Sequence, residues 1–233
     1  MLLFSRGLYA LVLSLFITQS LQAEFLYKDE IIDNSAFERE IDVVGKELRD
    51  KTGISIYIVA LRDLENNTTL EATQARYLNE LPDKTILITF VEMTKSVDIV
   101  CRPTSLYKDF NKDQVLSPFP TFLSALYMAT FYGNWEEKKF IINNCGGSII
   151  PILAQRTKGS DTVKKYSVAL FNGYADISEQ IATSQDVILE SAVGNSNKIT
   201  RNVLRTIFYG TILIALSYYI YSRFLKKRRE DDE

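Results

Sequence analysis

The chain has 233 residues, 29 acidic against 27 basic side chains, and no histidine. It therefore lacks the commonest general base, every Ser–His or Cys–His nucleophile pair and the commonest zinc ligand. Between residues 24 and 200 the acids outnumber the bases 25 to 19, a balance that speaks against nucleic acid as a partner, and the stretch is long enough for one domain with its own core.

The first 23 residues read as a signal peptide. An apolar run over 8–17 follows the lone cation Arg6, and Ser20-Leu21-Gln22-Ala23 supplies a cleavage site after Ala23. Leu21 is large for that site, so an uncleaved signal anchor is the alternative; both leave the domain, 24–190, on the same side of a membrane. Ser35-Ala36-Phe37-Glu38 is a capping box that opens a helix, in which Phe37, Ile41, Val44 and Leu48 recur on one face until Gly53 stops it. Residues 54–61 form a strand with apolar residues on both faces, 63–69 a polar loop, and 70–81 a second helix ended by Pro82-Asp83. Strands at 85–91 and 96–101 flank the short polar segment 92–95 and predict a hairpin.

Helical signals follow. They cover 122–131, then 149–155 leading into the series Val163, Tyr166, Leu170, Tyr174, Ile177 and Ile181. The order predicts an α/β domain: a mixed β-sheet with a βαβ core and a hairpin, flanked by helices. A linker, 191–201, leads to the uncharged run 206–222. Seventeen uncharged residues make about 26 Å of helix, and with Arg205 snorkelling the span from 202 to 222 crosses a bilayer core. Three cations precede this run and five follow it, which puts the tail, 223–233, in the cytosol. Tyr218, Tyr219 and Tyr221 would sit at that interface, with Tyr209 nearer the other.

Few residues suggest chemistry. Asp29, Glu30 and Asp33, or Asp63 and Glu65, are hard-oxygen donors that could hold calcium, but no spacing matches a calcium loop and a solvated face is the simpler reading. The expectation is therefore no metal ligand, no cofactor and no catalytic residue. Cys101 and Cys145 are the only cysteines; an oxidising compartment allows them to pair, and two separate thiols are the alternative. Cys145-Gly146-Gly147 reads as a turn, since no base accompanies the thiol. Asn66 and Asn67 open overlapping Asn-x-Thr triplets, with Glu65 two residues before Asn67, a candidate glycosylation acceptor. Finally, Phe119, Phe122, Tyr127, Phe131, Tyr132 and Trp135 occupy a stretch without charge between Asp113 and Glu136. They fit either a core or an exposed patch for a membrane partner, and Phe119, Phe122, Tyr127, Phe131 and Trp135 are the candidate contact residues.

Over about 30–185 this order resembles the TPM domain family, found in photosystem-repair lumen proteins and membrane-anchored bacterial proteins. The likeness rests on Ile31-Ile32-Asp33 before a capped helix, on 48–61 ending in Ile-Ser-Ile-Tyr-Ile-Val-Ala-Leu, on 84–91 with its partner 96–100, and on 149–153 and 166–173 as closing helices. A glycine loop common in that family is replaced here by Tyr77-Leu78-Asn79-Glu80-Leu81-Pro82-Asp83-Lys84, so the metal binding and phosphatase activity suggested for some members do not carry over. The resemblance implies a single-pass protein of a bacterial inner membrane, with its domain in the periplasm. Such a protein would be a non-enzymatic accessory or chaperone that binds an integral-membrane protein or complex and aids its assembly, stability or protection from proteolysis. Respiratory complexes, secretion machinery and flagellar stators are candidate clients; the alternative function is a metal-assisted phosphatase using clustered carboxylates.

Overall fold

A computed structural model of the protein describes residues 23–65, 68–191, 207 and 209–223. All of the expected signal peptide but Ala23, the Asn66 and Asn67 acceptors and most of the linker and tail lie outside these residues. The chain divides into two units, Met1–Leu189 and Glu190–Glu233.

In the first unit, β1 (Leu26–Asp29), β2 (Ser55–Leu61), β3 (Thr85–Val91) and β4 (Ser96–Arg102) lie side by side in chain order. β1, β2 and β3 are parallel, and β4 turns back antiparallel through 92–95, giving the mixed sheet that the alternation of elements predicts. Every residue of β2 and β3 is buried. Near-continuous Ile, Val and Leu suit strands covered on both faces. The connections supply that cover: α1 (Ser35–Thr52) joins β1 to β2, and α2 (Leu70–Glu80) joins β2 to β3 and packs on β3 and β4.

α1 buries the expected face of Phe37, Ile41, Val44 and Leu48. Its cap, however, is Asn34 rather than Ser35. Asn34 holds an extended backbone (φ −134°, ψ 100°), and its Oδ1 accepts from the amides of Ala36 and Phe37 at 3.1 and 3.4 Å. An asparagine in extended conformation one residue earlier satisfies the orphan amides, which leaves Ser35 as the first helical residue. Gly53 ends the helix at φ 70°, its amide donating to the Arg49 carbonyl at 2.7 Å.

After β4 come a 3-10 turn (Thr104–Lys108), α3 (Lys112–Val115), α4 (Phe122–Ala129), α5 (Trp135–Asn143), α6 (Ile150–Leu153) and α7 (Ser160–Ser184). The expected passage from 149–155 into the long helix is broken: α6 stops at Leu153, and Gly159 at φ 59° precedes α7. α7 lies against α1 and β2, with Tyr166 on Phe90 of β3, ring centroids 4.9 Å apart. Tyr174 is wholly buried there, and a Cβ at Gly45 of α1 would collide with its hydroxyl and with the Phe25 ring. Glycine in mid-helix lowers helix propensity, and here it admits the largest side chain in the core. β1 and α5 are not evident in the sequence.

In the second unit, 209–223 is helical and its large apolar side chains, from Tyr209 to Tyr221, are exposed around the helix. Among the described residues no helix is long and apolar enough to cross a membrane. Positions 202–206 and 208 of the expected spanning helix lie outside them.

Candidate interaction site

The uncharged segment and the charged run that follows it fold into a hairpin of two short helices, α4 and α5, that pack mainly on each other. Thr121 and Ser124 form a capping box at the start of α4, and Asn134 caps α5 through the Glu136 amide at 2.9 Å. The positions that α4 buries are Ala125 and Ala129, and α5 buries Ile141. The larger side chains face out. Leu123, Leu126, Tyr127, Phe131, Tyr132, Trp135 and Phe140 are seven of the twelve exposed large apolar residues among the described residues of the first unit, and the other five are scattered singly along the chain. Single exposed apolar residues are ordinary, whereas these seven fall within 18 residues of chain.

Of the five aromatic residues expected to meet a partner, Tyr127, Phe131 and Trp135 are 65, 67 and 65 % exposed. Phe119 and Phe122 are half-buried. Tyr127 and Phe131 meet edge to face, with centroids 5.2 Å apart, and the Lys139 ammonium lies 5.8 Å from the Trp135 ring. Leu123, Leu126 and Phe140 join the group unannounced. The run Glu136-Glu137-Lys138-Lys139 makes the start of α5 look like a solvated segment in the sequence.

The base of the hairpin is fastened. The amides of Gly146 and Gly147 both donate to the Phe119 carbonyl, at 2.8 and 3.1 Å, and the Ser148 amide to Val115 at 3.2 Å. Gly146 sits at φ 97°, and a Cβ at Gly147 would collide with the backbone carbonyl of Ser117. Cys145-Gly146-Gly147 is thus a closing turn. Gln114 links that turn to α7: its Nε2 donates to the Gly146 carbonyl (2.6 Å) and to Asp176 (3.2 Å), and its Oε1 accepts from Gln180 (2.8 Å). Gln180 in turn accepts from the Asn111 amide at 2.8 Å, and Asn111 donates to Asn144 at 2.9 Å. No local sequence pattern could reveal this clasp, because its members are up to 69 residues apart.

The carboxylates have structural partners. Asp29 accepts from the amides of Ile31, Ile32 and Asp33 at 2.8 to 2.9 Å, which shapes the turn out of β1. Glu30 pairs with Lys28 at 2.8 Å and accepts from the Arg62 amide at 3.0 Å; the Lys28 bond holds its carboxyl below the ordinary range. Glu65 pairs with Arg76 at 2.8 Å, which lowers it in the same way, and Asp63 caps the Leu64 amide at 2.8 Å. Among the described residues no group of three or more acidic or cysteine side chains could hold a metal ion.

The bridge that an oxidising compartment would allow is not formed, and both cysteines are free. Cys101 is buried on β4 beside Tyr107, and burial pushes its thiol up; burial likewise pushes the Tyr107 hydroxyl up to about 12. Cys145 is half-buried in the hairpin's closing turn, a separate setting.

Fold and site together define an α/β domain with a four-stranded mixed sheet and an apolar helical hairpin turned outward. No family model and no curated protein matches the chain. Among solved structures, the solution NMR structure of the N-terminal domain of a protein from P. gingivalis is similar over 72 % of this chain and 88 % of that one, with 11 % identity and a TM-score of 0.44.

Proposed function

We propose that this chain is a membrane-tethered accessory protein of TPM type. Its extracytoplasmic domain binds an integral-membrane protein or complex and aids that partner's assembly, stability or protection from proteolysis. The observation that carries the reading is the outward-facing hairpin, which exposes Tyr127, Phe131 and Trp135 on a domain whose other apolar residues are mostly inside. The uncharged run 206–222 with its basic flank supports a spanning helix, with the domain in the periplasm of a bacterial inner membrane and the C-terminus in the cytoplasm. A tether raises the effective concentration of the domain near any membrane-embedded client, so a modest contact suffices. The role is binding rather than catalysis.

The test is purification of the full chain from its native membrane in mild detergent, beside a Tyr127→Asp/Phe131→Asp form, with membrane-protein lifetimes measured in cells lacking the chain. A stoichiometric membrane partner that is lost from the double variant, and that decays faster without the chain, is the expected result. Unchanged lifetimes for every membrane complex would overturn the reading.

A further inference from the structure

The hairpin's surroundings point to what covers it. From 114 to 135 the sequence has no charged residue, so α4 and the turn into α5 offer no ion pair to a protein partner. It offers tyrosine and tryptophan instead, whose apolar bodies and polar edges suit the boundary between headgroups and acyl chains. Lys139 stands over Trp135 and pairs with Glu136 at 3.5 Å, and the run Glu136-Glu137-Lys138-Lys139 gives the start of α5 no net charge. Such a surface partitions by apolar area and does not need an acidic membrane.

The place of the hairpin in the fold agrees. Its base is held by Asp176 and Gln180, in the last turns of α7, and Ser184 at the end of that helix donates to Asp109 at 3.2 Å. Lys51 then fixes the departing chain by donating to the Ile188 carbonyl at 2.8 Å, and the unit ends at Leu189. Four residues of helix, about 6 Å, separate Gln180 from the end of α7. The hairpin base and the point where the chain leaves for the uncharged run are therefore at the same end of the domain. Residues 190–205 lie between, and even fully extended they reach no more than about 58 Å.

We propose that the outer face of the α4–α5 hairpin docks on the lipid bilayer itself, seating Phe131, Tyr132 and Trp135 at the headgroup boundary with Leu123, Tyr127 and Phe140 behind them. The proposal rests on the tethered reading above and adds a second, reversible contact with the membrane. A weak interfacial hairpin becomes effective because the tether makes its docking intramolecular. Once docked, it fixes how the domain faces a membrane partner.

Trp135 is the only tryptophan, so its fluorescence reports on this site alone. The full chain is reconstituted into nanodiscs of phosphatidylcholine with brominated acyl chains and no other protein. The expected result is that brominated lipid at least halves the Trp135 emission, that acrylamide quenching falls, and that high salt changes neither. Leu123→Ser/Phe131→Ser should abolish the bromine quenching without altering circular dichroism, while Val168→Ser, an exposed apolar position on α7, should leave it intact. An emission that stays open to acrylamide and insensitive to bromine in these discs overturns the proposal. If Trp135 then becomes shielded only in native membranes, a protein covers the face and the accessory reading survives. Failure of the chain to enter the discs would sink both.

Discussion

The sheet and the hairpin use the same residue types in opposite ways. In the sheet, Ile58, Leu87 and Phe90 are inside and wholly or almost wholly removed from water, with Tyr174 locked against Gly45 behind them. In the hairpin, alanines are inside while rings of similar size to Phe90 face out. Large apolar side chains in a core stabilise it by roughly 1.5–3 kcal/mol each, and on a surface they contribute little to folding. The two regions do different work: the sheet supplies stability, and the hairpin, fastened at its base, presents apolar rings that contribute little to folding.

Truncation within the sheet should cost the most stability. Phe90→Ala removes a ring packed on Tyr166 and should destabilise the domain by about 3–5 kcal/mol in a denaturant titration. Gly147→Ala forces a methyl onto the Ser117 carbonyl and should cost about 1–3 kcal/mol. In that variant hydrogen exchange at the Gly146 and Gly147 amides should quicken while exchange within β2 and β3 holds. If the sheet amides open together with the hairpin, the two regions are one cooperative unit and the division is wrong.

Changes at the surface should cost less. Tyr127→Ser/Phe131→Ser should change stability by no more than about 0.5 kcal/mol, because both rings are exposed. A loss comparable to that of Phe90→Ala would show that the hairpin surface is part of the fold. A thiol reagent added to the native protein should label Cys145 well before Cys101, whose thiol is buried and raised; equal rates would contradict the burial of Cys101. The least effect belongs to the exposed Glu24–Arg49 pair, in which the Arg49 hydrogen bond holds the Glu24 carboxyl below its ordinary 4.5. Its contribution, under about 1 kcal/mol, is complete above the unfolded value and fades as pH falls through the lowered folded value. Melting curves of Glu24→Gln and the unaltered chain should therefore differ slightly at pH 7 and converge in acid.

Sequence alone determined the elements whose pattern is local. Two strands appear at 85–91 and 96–102 within a residue of expectation, and the buried faces of α1 and α7 follow from apolar spacing, because burial on one side of a regular helix or strand leaves a period in the chain. β1 escaped because Leu26-Tyr27-Lys28-Asp29 is short, half charged and joins the edge of the sheet, and α5 escaped because four charges follow Trp135. The aromatic cluster was visible as a stretch without charge, but its direction was not. A helix with apolar residues all round carries no sign of which side faces out. That was decided by Ala125, Ala129 and Ile141 closing the hairpin, and by Gln114 and Gln180 clasping its base from far along the chain, contacts that exist only once the tertiary structure has formed.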